Sequence, residues 1–220
     1  MWVEGRGRGG GMSSRPRQVR DVRTYGEETR ALVLKSAEKL FATRGLHNTS
    51  MQDIAAEAQV SRATVFNQFG SKQLVLDAIT AQSLRRYRDL LHAALGDDKR
   101  SMPERLRTLY QQMGKGIESN RALYREVFAE IRKVSMGLDG EGESPAVRQE
   151  TFDLLVAMFE RGQASGELTR TQTAEVLATA YDSLLSGAVI QWLHDPRKGA
   201  LPQLLSSLMD VFLKGAASGR

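Results

Sequence analysis

The sequence predicts an all-α fold. Three observations carry that expectation: apolar residues recur at helical spacing in segment after segment, no stretch alternates as a strand, and only 5 prolines interrupt 220 residues. A hydrophobic content of 41% in 24.4 kDa is enough to build real cores. Punctuation by glycine and charge divides the chain into a basic arm at 1–25, a three-helix unit at 26–80 and a helical bundle at 81–216. Either Met1 or Met12 is a plausible start.

The same composition narrows the function classes. There is no cysteine, hence no disulfide framework and no thiolate metal site. The N-terminus lacks the apolar stretch of a secretory signal, and no uninterrupted apolar run of membrane length stands out. A cytoplasmic protein without a membrane partner is expected. The 3 histidines, His47, His92 and His194, are far apart and have no motif partners. No nucleophile elbow, phosphate loop, zinc-protease helix or dinucleotide fingerprint is present, so no catalytic residue, metal or cofactor is expected.

Charge is unevenly spread. The net value is +5, and residues 1–24 hold six arginines against Glu4 and Asp21. Residues 25–95 are also basic on balance, whereas 96–220 are slightly acidic. Positive charge gathered at one end suits a partner with a phosphate backbone. Within the arm, Arg15, Arg17, Arg20 and Arg23 can follow phosphates or enter a minor groove, or the arm is an idle solvated tail.

From Glu27 to Arg44, Leu34, Ala37, Leu40 and Phe41 recur at helical spacing, and Gly45 follows the last turn. The stretch Thr49–Lys72 then reads as two short helices joined by a tight turn. Thr49 and Ser50 sit at an N-cap, Gln52 lies three residues after Thr49 as a capping box asks, and Gln59-Val60 forms the bend. Ser61 caps a second helix running to about Phe69. On a helical wheel Val65, Phe66, Phe69 and the stem of Arg62 share one side. Ser61, Ala63, Thr64, Asn67 and Gln68 share the other. Such a face can enter a major groove, where Asn or Gln bonds adenine, Thr meets a thymine methyl and Arg bonds guanine. A buried helical hairpin with a polar outer side is the plain alternative.

The region closely resembles the DNA-binding domain of the TetR family of bacterial transcriptional repressors. The resemblance rests on Phe41-x-x-x-Gly45, Thr49-Ser50, Asp53-Ile54-Ala55, Val60-Ser61, Thr64-Val65-Phe66-x-x-Phe69 and Ser71-Lys72, and is dense over roughly 50 residues. It implies that Gln52, Arg62, Ala63, Thr64, Asn67 and Gln68 read bases or lie against the groove. By the same resemblance Ser50, Phe66 and Lys72 lie near phosphates, with Ser61 capping the reading helix. Two departures stand out. Phe66 replaces a frequent Tyr, which removes a phenolic phosphate contact, and Gln59 replaces a frequent Gly at the turn.

Ser71 to about Leu95 reads as a linking helix with Leu74, Val75, Ala78, Ile79 and Leu84 inward. Arg85, Arg86 and Arg88 are expected on a solvated face. Further stripes follow: Leu106, Leu109, Tyr110, Met113 and Ile117; then Tyr124, Val127, Phe128 and Ile131. The glycine-rich loop Ser135–Ser144 is expected to be flexible, and Pro145 to open a helix carrying Phe152, Leu155, Val156 and Phe159. The helix Thr171–Leu193 is apolar on opposite sides. Ala174, Leu177, Ala178, Tyr181, Leu185, Ala188 and Trp192 form one stripe; Val176, Ala180, Ser183, Gly187 and Ile190 form the other. Two greasy sides need two partners, one its own core and the other a second subunit, with a single large core within a monomer as the plain alternative. The last helix, Leu201–Leu213, is similarly apolar.

The resemblance implies a homodimer joined through the last two helices, binding a palindromic operator in double-stranded DNA and released by a small-molecule effector. Tyr110, Met113, Phe128, Phe152, Met158 and Tyr181, with Asp182 and Ser186, are the expected pocket lining. Their aromatic and Met-rich character suits a mainly hydrophobic ligand. An architectural, ligand-independent DNA-binding protein is the competing reading.

Overall fold

The computed structural model describes residues 22–138, 142–195, 197 and 199–216. Most of the basic arm, with Arg15, Arg17 and Arg20, lies outside the described residues. So do the side chain of Arg23 and loop residues 139–141 of the expected flexible segment. The described residues form nine α-helices and no strand. They are α1 Val22–Arg44, α2 Met51–Glu57, α3 Arg62–Phe69, α4 Lys72–Leu95, α5 Met102–Ser119, α6 Arg121–Ser135, α7 Ser144–Ala164, α8 Ala174–His194 and α9 Leu201–Ala216. The first helix begins at Val22, so its opening turn takes in residues assigned to the arm by composition. The expected division between residues 80 and 81 falls inside the continuous α4.

Helices α1–α3 pack around Phe41, Ile54, Val65 and Phe69 to form a small head. Phe41 and Val65 are fully buried. At roughly 3–5 kcal/mol for deleting a buried phenylalanine side chain, Phe41 alone is a large share of what so small a unit can hold. The head does not close on itself. Val75, Leu76, Ala78 and Ile79 of α4, and Leu123 and Val127 of α6, complete its core. From Val75 to Ala81 every residue of α4 is buried, Asp77 and Thr80 included, because head and bundle clasp that helix from opposite sides.

The bundle α5–α9 centres on Tyr181. Its ring lies 4.6 Å from Tyr110, 5.7 Å from Phe159 and 5.9 Å from Phe212, the last two edge-on. The Tyr110 hydroxyl donates to the Tyr181 carbonyl at 2.8 Å. Gly114 lets α9 lie close on α5, since a Cβ there would sit 3.0 Å from Pro202 Cα. By length and composition α8 qualifies as a membrane-spanning helix, although 44% of that window is buried inside the protein. One stripe of α8 fills the core, while Val176 is 49% and Leu184 36% exposed; on α9, Val211 is 68% exposed.

The arginines of α4 are not simply solvated, contrary to the sequence expectation. Arg85 pairs with Glu143 at 2.5 Å, Arg88 with Glu150 at 2.9 Å and Arg86 with Glu38 at 3.5 Å. Each partner comes from another part of the chain, which a helical wheel of α4 alone cannot reveal.

Candidate functional site

The entry to α2 is built differently from the expected Thr49/Gln52 box. Ser50 is the N-cap: Asp53 N donates to its Oγ at 3.1 Å, and Ser50 N and Oγ donate to the Asp53 carboxylate at 2.8 and 2.6 Å. Thr49 is buried and its hydroxyl turns back to the Gly45 carbonyl. The Ser50 bonds hold the Asp53 carboxyl below its usual range. Both acids of α2 have basic neighbours, Asp53 with Arg44 at 3.9 Å and Glu57 with Lys39 at 2.6 Å. Negative charge on α2 is thereby muted.

Between the two helices the chain turns at Gln59, whose φ of +55° makes it the only non-glycine residue with positive φ among those described. Ser61 caps α3, accepting from Thr64 N at 3.0 Å and meeting the Thr64 hydroxyl at 2.8 Å. Val65 and Phe69 point into the head. Ser50, Gln52, Ser61, Arg62, Ala63 and Asn67 are exposed, with Thr64 half-buried. A cap, a turn and two buried anchors thus present one polar surface.

Phe66 and Gln68 sit differently from the wheel, and Lys72 is engaged within the chain. Phe66 is 38% exposed rather than inward, with the Arg62 guanidinium 5.1 Å from its ring centre. The two form a stacked unit on the surface. Gln68 is half-buried, and its Nε2 donates back to the Gly26 carbonyl at 3.4 Å. Its Oε1 is buried without a partner. Lys72 donates to the carbonyls of Leu46 and Thr49 at 2.7 and 2.8 Å, tying the start of α4 to the loop that enters α2. One ammonium N–H remains for another acceptor.

Behind the head lies a cavity of about 210 Å³ walled by α4–α8. Leu84, Tyr87, Met113, Ile117, Tyr124, Val127, Phe128, Ile131 and Leu185 make it mainly apolar. Arg148 pairs with Asp182 at 2.6 Å on its polar side, near Ser83, Thr151 and Ser186. Of the eight expected lining residues, Met113, Phe128, Asp182 and Ser186 are there. Tyr110, Met158 and Tyr181 are instead fully buried in the bundle core, and Phe152 packs on that core beneath Arg148. Sequence reading missed Arg148 and Tyr87, one because its partner lies 34 residues away, the other because it sits among buried residues of α4. The Tyr87 and Tyr181 phenols are close enough to influence each other, yet neither has a hydrogen-bond partner of good geometry. Burial pushes both phenol pKa values up. Among the described residues no group of His, Asp and Glu is arranged to hold a metal.

Comparison with known proteins matches residues 33–79 to the family model for bacterial regulatory proteins of the tetR family. An HTH-type transcriptional repressor of Mycobacterium tuberculosis is 37% identical over 83 residues, covering 37% of this chain and 44% of that repressor. The chain therefore matches less than half the length of that relative. Pseudomonas putida TtgR, an HTH-type transcriptional regulator, is 27% identical over 202 residues, covering 88% and 90% of the two chains. Among solved structures, Thermus thermophilus FadR, a TetR-family transcriptional repressor in complex with lauroyl-CoA, superposes with a TM-score of 0.64 at 23% identity. That match covers 87% of this chain and 96% of the other. The proteins similar to it are regulators, not enzymes. Residues 33–79 thus form a DNA-binding head of the tetR family type, and the helical bundle behind it has the fold of the solved TetR-family repressor.

Proposed function

We propose that the protein is a cytoplasmic, sequence-specific transcriptional repressor that binds a palindromic operator as a homodimer and is released by a small, mainly hydrophobic ligand. The observation that carries this reading is the double duty of α6. Leu123 and Val127 belong to the core of the head, while Tyr124, Val127, Phe128 and Ile131 wall the cavity. A ligand that reshapes the cavity acts on the same helix that seats the head. Packed interiors respond to such a change by shifting a whole element rather than by local compression.

On the DNA side, Arg62 and Asn67 are the base-reading residues, with Gln52, Ala63 and Thr64 against the groove. Ser50 and Lys72 position the backbone. Gln68 serves the α1–α3 contact first. The exposed apolar stripe of α8, with Val211 of α9, is the subunit interface, and a twofold dimer matches an inverted repeat. In the described state the cavity is about 1.4 times the ~150 Å³ that holds a benzene. A compact ligand fits as it stands; a long acyl chain, as carried by the ligand of the Thermus thermophilus FadR structure, requires the helices to part.

Fluorescence anisotropy on an inverted-repeat duplex tests the proposal. Two chains per site, and at least a thousandfold preference over a scrambled duplex (of the order seen for specific binders), are expected. One chain per site, or equal affinity for both duplexes, would refute it.

A further inference from the structure

Besides α6, a second route runs from the cavity to the reading helix through the start of α7. Arg30 of α1 places its guanidinium 4.5 Å from the ring centre of Phe69, the last residue of α3, and also pairs with the Glu143 carboxylate. The other oxygen of Glu143 takes Arg85 of α4 at 2.5 Å. The backbone at this point is fixed independently. Asp77, buried in α4, accepts from Glu143 N at 2.6 Å, from Ser144 N at 3.2 Å and from the Ser144 hydroxyl. Gly142 passes so close, at φ +114°, that a Cβ there would collide with the Asp77 carboxylate. Little more than one turn further along α7, Arg148 lines the cavity and pairs with Asp182.

We infer that Glu143 is a positioning residue for the DNA-reading head: through Arg30 and Phe69 it holds α3 in place, and the Arg148–Asp182 pair in the cavity wall controls it. Arg30 and Glu143 are each more than a third exposed, so their bond adds little to stability. Its value is directional, because one carboxylate grips the head and α4 together while stacking ties Arg30 to α3. A ligand that parts Arg148 from Asp182 frees the first turns of α7 to move. Asp77 transmits that movement to α4, and Glu143 transmits it to the head. The inference deepens the ligand-responsive reading and rests on it.

Coupling, rather than proximity, is what must be measured. The protein, Asp182→Asn, Glu143→Gln and the double variant are compared for affinity to a duplex selected from random sequences, with thermal stability followed in parallel. Arg161→Gln, on α7 but paired with Asp98, is the control. Asp182→Asn is expected to change affinity by about fivefold or more in the native background and by under about twofold beside Glu143→Gln. Additive effects overturn the inference. If Glu143→Gln fails to fold, Arg30→Lys, which keeps the charge and loses the stacking, is expected to abolish the Asp182 response equally. The Nε–H resonance of Arg30 in the free protein gives a readout needing neither DNA nor ligand. It is expected to shift with Asp182→Asn and stay put with Arg161→Gln; equal behaviour in the two overturns the inference. Failure to enrich any duplex would sink the operator-binding reading while leaving this resonance to decide the role of Glu143.

Discussion

Replacing Gln59 by glycine should stabilise the head. A side chain at φ +55° suffers the crowding of Cβ against the following carbonyl, about 1–2 kcal/mol for an L-residue. Glycine removes that crowding but returns roughly 0.5–1 kcal/mol as extra freedom of the unfolded chain. The Gln59 side chain is exposed, and the bonds of the turn, Gln59 N to Ala56 O at 3.2 Å and Val60 N to Ala55 O at 3.0 Å, are made by backbone alone. Nothing else in the turn is expected to change. The net gain is about 0.5–1 kcal/mol, or about 1–4 °C in Tm for a chain of this size. Because head and bundle need not melt together, urea denaturation is best paired with hydrogen exchange of the α2 and α3 amides. Gln59→Asn should recover part of the gain, since Asn tolerates this region, and Gln59→Ala none. If the glycine variant is no more stable than the alanine variant, the backbone at Gln59 is not strained and the reasoning is wrong.

Other predictions follow from the same head and bundle. Lys72→Met removes two charged donors from the Leu46 and Thr49 carbonyls and should cost about 2 kcal/mol of stability. It should also weaken binding to all duplexes alike and flatten the salt dependence; unchanged melting would show those bonds to be idle. Asn67→Ala should cost ~1–3 kcal/mol on the cognate duplex and relax base discrimination, whereas Gln68→Ala should alter discrimination less because its amide faces Gly26. Equal losses on cognate and scrambled DNA for Asn67→Ala would remove it from the base-reading set. The Asp53 carboxyl is depressed in the folded head, so the folded state binds fewer protons there than the unfolded chain. Its contribution is complete above the ordinary value of 3.8 and is lost as pH falls through the depressed one. Asp53→Asn should therefore blunt the acid sensitivity of α2 exchange below that pH; an unchanged profile would contradict the cap. Val211→Glu places a charge on the most exposed apolar position of α9 and should yield monomers in analytical ultracentrifugation, while a persistent dimer would move the interface elsewhere.

Local patterns disclosed the helices and most of the head. Apolar spacing found the inward faces of α1, α4, α5 and α6, and the Val60-Ser61 to Lys72 run located α3 and its cap. What spacing alone missed are side chains whose orientation is settled by a distant partner. Phe66 looked buried because a wheel cannot say how much of the helix the head covers, and Gln68 looked free because its acceptor, Gly26, lies 42 residues away. The capping box was displaced by one residue for a local reason: with two hydroxyls in succession, the one followed at N3 by a carboxylate wins. Half of the expected cavity residues, Tyr110, Phe152, Met158 and Tyr181, lie in or on the bundle core, because aromatic and methionine side chains serve core and pocket equally well. Tyr110 and Tyr181 consolidate the bundle, and the cavity is instead walled by facing residues of α4, α5, α6, α7 and α8.

Selection of retained sequences from a pool of random duplexes, at moderate salt, separates sequence reading from binding by charge alone. Enrichment of an inverted repeat whose half-sites are spaced for two heads of one dimer is expected. Retention driven by charge, with no sequence enriched, would contradict sequence reading and identify an architectural DNA-binding protein.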